Sequence, residues 1–422
     1  MAADDARREP AASSRARSPG VPLLLAVQLV TGVVLAPVFT FFPVYLKEIG
    51  FSVVLISVIA TLQRVMSLGS SLVGGTLVDT IGTKRILVAG QVLYFAGTLL
   101  FLSRDSWWIA LVWAVCGIGM GPVSLASTSY LIEKADRARL GLFTALLYWG
   151  ITLGGAIGNP LAAALLGRTG WKGLVPFTAI PAVGIVAATA FALPGSMRRD
   201  PAAARPPGLL SAVALAAASP PIRLLVWMRF LPTVCYGTLL VFVPLLLKDA
   251  GASNAAIALY GTAVSVCASL AQLAVGRLAD RTGWKGPTAA SFAALAVAAF
   301  VIAALPNQLW VVFAGGTLAM SAAWSLSTLL PIQMMKAVEP SEIGRVLGAI
   351  QLFWNVAMIL AGLAGGVLFV AWNGLPFLVG GLAAAAGLPV AAVYATMAGS
   401  GAGRDPAVSG PSRPPSGDRA GG

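Results

Sequence analysis

Two arginines stand inside long apolar stretches of this chain, and their type and position point to ligand chemistry. Arg64 lies in the middle of the apolar run 52–78, and Arg229 lies in the first third of the run 222–247. A guanidinium in such surroundings costs about 2.5 to 3.5 kcal/mol on membrane-insertion scales, so it should face protein or water. Its planar fork of N–H donors suits carboxylates and other hydrogen-bonding groups. We therefore predict a solute contact at Arg64. The alternatives are that Arg64 ties helices together through backbone carbonyls and that Arg229 extends to the membrane surface.

Amide and aromatic side chains in other apolar runs extend this candidate site. Large flat rings suit organic solutes, but packing against helices or lipid is the commoner role of a membrane tryptophan, and that alternative stays open for each ring. The predicted solute-binding residues are Arg64, Gln28, Gln63, Trp149, Arg229, Tyr236, Trp324, Gln351, Trp354 and Asn355.

Acidic residues show the complementary pattern. The chain has 15 Asp and Glu and no His, and the acidic residues fall in predicted tails, loops or segment ends. A proton relay of the usual kind lacks its carriers, although Glu133, Asp79 or the solute itself could carry a coupling proton. A permanently cationic solute would lack a counter-ion. The three cysteines are far apart in apolar runs, so we predict packing roles for them, no metal site and no cofactor.

The elements that must position these residues are membrane-spanning helices. The chain has 422 residues, 58% hydrophobic and only 10% charged, far fewer charges than a soluble protein carries. About 20 apolar residues span the hydrocarbon layer as a helix. Twelve segments fit: 22–46, 52–78, 84–103, 107–131, 139–167, 173–194, 222–247, 254–279, 286–305, 309–335, 343–370 and 374–397.

The domain organisation follows from the polar stretches between these segments. Residues 195–221 are polar and proline-rich, and they predict a cytoplasmic linker between two six-helix bundles, 21–194 and 222–397. Residues 1–20 and 398–422 predict disordered cytoplasmic tails. The predicted fold class is therefore an all-α membrane protein.

The two halves resemble each other in sequence. The stretch 42–52 (FPVYLKEIGFS) matches 243–253 (VPLLLKDAGAS) at a shift of 201 residues, and 74–84 matches 275–285 at the same shift. One offset for two separate matches indicates duplication of a six-helix unit, a pattern found among transporters.

The basic residues predict the orientation. With both termini inside, 21 of the 28 Lys and Arg fall on the cytoplasmic side and five outside, as the positive-inside rule requires. The net charge of +13 is therefore assigned to membrane orientation, with no nucleic-acid partner. We predict a multi-pass protein of a bacterial inner membrane whose partners are the lipid bilayer and a small-molecule solute, and which acts as a monomer.

Two short cytoplasmic loops, 75–85 (GTLVDTIGTKR) and 276–285 (GRLADRTGWK), share the pattern G-x-L-x-D-x-x-G-x-K/R. This pattern, present twice within twelve segments, resembles the loop signature of the major facilitator superfamily. The resemblance covers about residues 22–397 and implies two pseudo-symmetric bundles around a cavity that opens alternately to either side. It also implies a conformational latch, against the alternative of a solvated turn. The latch residues would be Gly75, Asp79, Gly82, Lys84, Arg85, Gly276, Asp280, Arg281 and Gly283.

The fifth segment carries small residues that let helices approach closely. Gly150, Gly154, Gly158 and Pro160 are the predicted helix-packing residues, and their pattern resembles a signature of drug antiporters. Gly155 stands where that signature has a proline, and Trp113 occupies roughly the place where proton-coupled drug exporters carry an arginine.

These observations predict secondary transport of a small organic solute by alternating access, with export of a drug-like or metabolite molecule favoured by the fifth-segment glycines. The alternative is uptake or exchange of a small organic anion, carboxylate or sugar-like, with Arg64 as its contact. An enzyme would need clustered catalytic residues, a channel would need polar stripes along a pore, and direct use of ATP would need a Walker loop. None of these is found in the sequence.

Overall fold

A computed structural model describes residues 20–135, 140–195, 219–337 and 343–400, together with Ala214 and Ala217. Twelve helices in this part of the chain are long and apolar enough to cross a membrane. Their bounds are α1 Gly20–Glu48, α2 Val53–Ile81, α3 Thr83–Tyr94, α4 Ser106–Lys134, α5 Leu140–Thr169, α6 Leu174–Ala187, α7 Pro220–Asp249, α8 Asn254–Thr282, α9 Lys285–Ala304, α10 Leu309–Ala337, α11 Ile343–Ala371 and α12 Leu375–Ser400.

These helices confirm the predicted fold class and extend most of the predicted segments by a few residues. Two spans change helix type near their ends, a feature that hydropathy does not encode. After α3 the chain continues as the 3₁₀ helix Phe95–Leu102, and after α6 it continues as the π-helix Ala188–Ala192. Both predicted tails lie outside the described residues, except for the few that belong to the ends of α1 and α12, and so does most of the predicted linker.

The two halves pack in the same way. In the first half α1 packs on α5 and α6, and α4 packs on α2 and α3; in the second half α7 packs on α11 and α12, and α10 packs on α8 and α9. The halves meet mainly through α5 against α8 and α2 against α11. Exchanging the halves converts one of these contacts into the other, so the molecule has a pseudo-twofold axis between its bundles.

Both halves use the same turn where their first helix ends. Gly50 and Gly251 have φ values of 96° and 84°, a region that glycine enters without steric cost. The Phe51 N–H donates to the Leu46 carbonyl, and the equivalent bond joins Ala252 to Leu247, both at 2.9 Å. These bonds form a Schellman motif, which fixes where each helix stops.

The next helix of each half then begins on a serine cap. The Ser52 hydroxyl accepts from the Leu55 N–H at 3.3 Å, and the Ser253 hydroxyl accepts from the Ala256 N–H at 3.2 Å. A serine at this position satisfies a backbone donor that the first turn leaves open. The end of the bundle that holds these turns, with the α3–α4, α5–α6, α9–α10 and α11–α12 loops, is here called the first-loop end.

The glycines of α5 bring α1 unusually close. A Cβ at Gly154 or at Gly158 would overlap the backbone carbonyl of Leu29 or Val33 on α1. Gly150 has more room, because a Cβ there would lie 3.3 Å from the Leu29 nitrogen. Pro160 lies exposed inside the same helix. A Cβ at Gly155 would lie 2.9 Å from the Ala36 Cβ on α1 and 3.0 Å from the Ser265 hydroxyl on α8, so α5 contacts both its own half and the other half at this residue.

Candidate functional site

A cavity of about 270 Å³ lies between the two halves. Its walls come from α1, α2, α3 and α4 of the first half and from α7 and α11 of the second. This volume suits a small solute, because it lies near the lower end of the range found for ligand sites. The lining residues are Phe39, Phe42, Pro43, Ala60, Thr61, Gln63, Arg64, Tyr94, Trp113, Met120, Tyr236, Gly237, Leu240, Val241, Met358 and Gly362.

Arg64 is the charged residue of this cavity among the described residues. Its Nη1 atom contacts the Met120 sulfur at 3.7 Å, and a thioether is only a weak acceptor. No Asp or Glu lines the cavity in the described part of the chain. Most of the guanidinium donors therefore remain available to a solute.

A smaller cavity of about 40 Å³ surrounds Arg229. The Arg229 Nη1 atom donates to the Ser327 hydroxyl on α10 at 2.5 Å. Tyr236 lines both cavities and meets the Trp324 ring edge-on, with centroids 6.1 Å apart. The two cavities are thus neighbours that share the Tyr236 side chain.

Trp354 on α11 joins the two arginines. The Cζ atom of Arg64 lies 5.8 Å from the centroid of the Trp354 ring, and that of Arg229 lies 5.9 Å from it. Both distances are within the range of cation–π attraction, which offsets part of the cost of placing a charge in the membrane. The arrangement holds two positive charges next to one aromatic ring between the halves.

The structure brings together six of the ten residues predicted to bind solute. Arg64 and Gln63 line the larger cavity, Arg229, Trp324 and Trp354 line the smaller one, and Tyr236 lines both. Gln63 is itself almost fully buried, and its amide contacts the Cys116 sulfur at 3.5 Å.

The other four do not line either cavity. Gln28 and Asn355 are buried, at 5% and 3% exposure, and the Asn355 amide donates to the Gln351 carbonyl of its own helix. Gln351 is exposed, and Trp149 is half-buried with its indole N–H unpaired among the described residues. The sequence assigns a residue to a helix but does not show whether its side chain points toward a cavity or toward a neighbouring helix. This explains why four of the ten predicted residues line neither cavity.

Sequence reasoning missed the aromatic wall of the first half. Trp113 is 2% exposed and stacks on Phe42, with ring centroids 4.1 Å apart and planes 5° from parallel. It also missed Thr233, which lies four residues after Arg229 and three before Tyr236 on α7. That helical spacing was a usable signal, because such positions share one face.

The predicted latch loops lie at the opposite end from the first-loop end. Gly82 and Gly283 close the two turns with φ values of 101° and 84°, and their N–H groups bond to Val78 and Ala279. Nothing lies within 4 Å of a Cβ placed at Gly276.

The charged latch residues are only partly described. Asp280 is exposed and makes no ion pair with a described residue. Arg281 and Arg85 are exposed, and Lys84 is half-buried. Gly75 and Asp79 lie in α2, but the Asp79 side chain is outside the described part of the structure. The conformational latch therefore stays a prediction.

The comparisons with known proteins agree with this architecture. A family model described as Major Facilitator Superfamily matches residues 24–362. Solute carrier family 2, facilitated glucose transporter member 10, from Homo sapiens is 33% identical over 116 residues, which is 27% of this chain and 21% of that protein. Multidrug resistance protein MdtH from Yersinia enterocolitica is 28% identical over 160 residues, 36% of this chain and 39% of that protein. The matches thus span between about a fifth and two fifths of these relatives.

Proposed function

Since this chain belongs to the major facilitator superfamily, we propose that it moves a small organic anion across a membrane by alternating access. The family and the twelve spans make it a multi-pass membrane transporter. The solute class is the proposal, and one observation carries it. Arg64 and Arg229 both lie beside the Trp354 ring, and no described carboxylate lines either cavity.

Charge balance favours an anion over a cation. Two guanidiniums near each other in a low-dielectric site repel, and a bound carboxylate would relieve that repulsion. A charge-assisted hydrogen bond from arginine to carboxylate is short and strong, and it can be bidentate. A cationic solute would meet two like charges and no described counter-ion.

The apolar walls indicate the rest of the solute. Phe39, Phe42, Trp113 and Tyr94 face the larger cavity from the first half. Flat rings bury large apolar area and hold organic bodies by stacking and edge contacts. The proposed solute therefore has one acidic group and a compact apolar or aromatic body.

Export of a drug-like or metabolite molecule is the second candidate function. The α5 glycines and the partial match to MdtH support it, and an acidic drug-like molecule would satisfy both proposals.

We further propose a bacterial inner membrane, cytoplasmic termini and a monomer as the working unit, on the basis of the charge distribution and the complete cavity within one chain. This proposal keeps the predicted domain organisation, with two six-helix bundles (21–194 and 222–397) joined by a cytoplasmic linker. It also keeps the predicted role of the two latch loops as a conformational latch.

A ligand screen followed by transport tests the anion proposal. Purified full-length protein is screened by thermal shift with small acids, bases and neutral molecules, and the hits are assayed for uptake into proteoliposomes. We expect acids to dominate the hits and Arg64→Gln to lower their transport by about tenfold or more, the scale of a lost charged hydrogen bond. Arg223→Gln is the matched control, because Arg223 is exposed on α7 and, among the described residues, bonds to the Ala217 carbonyl alone. Hits that are mainly cations, or unchanged acid transport in Arg64→Gln, would overturn the proposal.

A further inference from the structure

The ends of α1 and α7 meet in two ion pairs that cross between the halves. Lys47 pairs with Asp249, and Lys248 pairs with Glu48 at 2.5 Å. These are two of the three ion pairs among the described residues; the third joins Glu133 to its chain neighbour Lys134.

The two pairs are copies of each other. Lys47 and Glu48 correspond to Lys248 and Asp249 at the same shift of 201 residues that relates the two halves. In an interface with twofold symmetry, residue i contacts j of the partner while j contacts i. A basic residue followed by an acidic one is self-complementary in such an interface, whereas a single charge would face its own copy and repel it.

The helix ends are built to present these charges in register. Each dipeptide lies in the last turn of its helix, and the Schellman turns at Gly50 and Gly251 stop both helices at the same position. Further hydrogen bonds hold the side chains of Glu48 and Lys248 in place. The Trp171 indole N–H donates to Glu48 at 2.9 Å, and Lys248 also donates to the Asn254 side-chain oxygen at 3.2 Å.

Close packing below the ion pairs seals the same end. On α11, a Cβ at Gly366 would overlap the Ser57 hydroxyl, and a Cβ at Gly362 would overlap the Thr61 hydroxyl of α2. On the other side of the axis, a Cβ at Gly261 of α8 would lie 2.6 Å from the Asn159 amide of α5. The contacts between the halves are therefore tight from the ion pairs down to Thr61, which lines the larger cavity.

We propose that Lys47, Glu48, Lys248 and Asp249 form a reciprocal electrostatic gate that closes the solute pathway at the first-loop end. Opening that end requires α1 and α7 to separate, and this breaks both pairs together. All four side chains are partly exposed, at 26 to 39%, so water can solvate the charges as the pairs part. Each pair is then weak enough to break in every transport cycle.

A solute-free accessibility measurement tests the gate. A reporter cysteine, Leu240→Cys, is placed in the larger cavity in a Cys267→Ser background, because Cys267 is exposed and the other two cysteines are buried. Its rate of reaction with a membrane-impermeant maleimide is measured in spheroplasts and in inside-out vesicles. The same gate variants without the reporter give the background rate.

Charge reversal gives the expected results. Lys47→Glu or Asp249→Lys alone should speed labelling from the first-loop side by about two- to fivefold, the scale of a lost exposed ion pair. The combined Lys47→Glu, Asp249→Lys variant should return labelling to the starting rate. Lys172→Glu, an equal charge change at an exposed residue of the same end, should have no effect.

Three results would overturn the gate. These are unchanged labelling in the single reversals, labelling of the combined variant as fast as in the singles, or equal acceleration by Lys172→Glu. If a reversal does not fold, Lys47→Gln removes the pair without adding a repelling charge, and it should accelerate labelling by a smaller factor. No solute is needed, so a failure of the anion proposal leaves this test intact.

Discussion

The guanidinium of Arg64 on α2 lies 5.8 Å from the ring of Trp354 on α11, although the two residues belong to different halves of the chain. The helices that carry them form one of the two main contacts between the halves. A change in how the halves meet must therefore alter the surroundings of the charge. In the proposed transport cycle, a solute bound at Arg64 would therefore shift the balance between conformations, because a ligand shifts an equilibrium only through contacts that differ between states.

Trp354→Ala should weaken solute binding more than Trp354→Phe. The alanine variant removes a ring that lies beside both arginines, and each cation–π contact contributes about 0.5 to 2 kcal/mol. We expect the Kd of an acidic solute to rise by about five- to tenfold for alanine and by less for phenylalanine. Isothermal titration of purified protein measures the change. Trp310→Ala, at an exposed tryptophan of α10, serves as control, and equal effects of Trp310→Ala and Trp354→Ala would count against the site.

Ser327→Ala should reduce solute affinity without unfolding the protein. Ser327 accepts the 2.5 Å bond that holds the Arg229 guanidinium in the smaller cavity, and a hydrogen bond to a charged group contributes about 1.5 to 3 kcal/mol. Without it the long side chain is free to turn away. Ser325→Ala is the matched control, since the Ser325 hydroxyl donates to the Ser321 carbonyl of its own helix and has no other partner in the part of the chain that the structure describes. A large fall in Tm with no change in Kd would assign Arg229 a structural role instead.

Gly154→Ala should destabilise the first half, whereas Gly167→Ala on the same helix should not. A Cβ at Gly154 would overlap the Leu29 carbonyl, and nothing lies within 4 Å of one at Gly167. Overpacking of this kind costs about 1 to 3 kcal/mol, while alanine in open space favours the helix. Thermal unfolding in detergent compares the two variants. Equal Tm values would show that α1 can move away from α5 at little cost.

Accumulation of the solute should persist when the proton gradient is collapsed and should respond to membrane potential. The cavities contain two arginines and no described carboxylate, so the solute is expected to carry its own negative charge across. Moving one charge through 100 mV corresponds to about 2.3 kcal/mol. Uptake into proteoliposomes with a protonophore, and separately with valinomycin and a potassium gradient, measures both effects. Loss of uptake with the protonophore alone would indicate proton coupling.

The sequence predicted the fold better than it predicted the site, for a physical reason. Spans of about 20 apolar residues must be helical in a bilayer, since every backbone group has to be satisfied internally. Hydropathy therefore located all twelve helices, and the 201-residue repeat located their symmetry. A charged side chain deep in the membrane is similarly restricted, because it must face protein or water. Arg64 and Arg229 could therefore be singled out by the free-energy cost of inserting a charge into the membrane.

Uncharged site residues cannot be recognised in this way, because their insertion into the membrane does not carry the cost of a charge. Gln28 and Asn355 looked equivalent to Gln63 in sequence. Gln63 lines the larger cavity and the other two line neither of the two cavities described above, because the rotation of each helix is set by packing against its neighbours. Trp113 was missed for the same reason, whereas Thr233 could have been found from its helical spacing to Arg229 and Tyr236. Likewise, the repeated Lys-acidic dipeptide was visible as a repeat, but its cross-pairing depends on how the halves are arranged in space.

The most direct test of the central claim compares one carboxylic acid with its neutral amide in wild type and in Arg64→Gln. The two ligands have nearly the same shape, so the four Kd values form a cycle that isolates the contact between Arg64 and the charge. We predict that wild type prefers the acid by about 10- to 100-fold and that Arg64→Gln binds both with nearly equal affinity. The same preference for the acid in both proteins, or tighter binding of the amide by wild type, would contradict an anion site at Arg64.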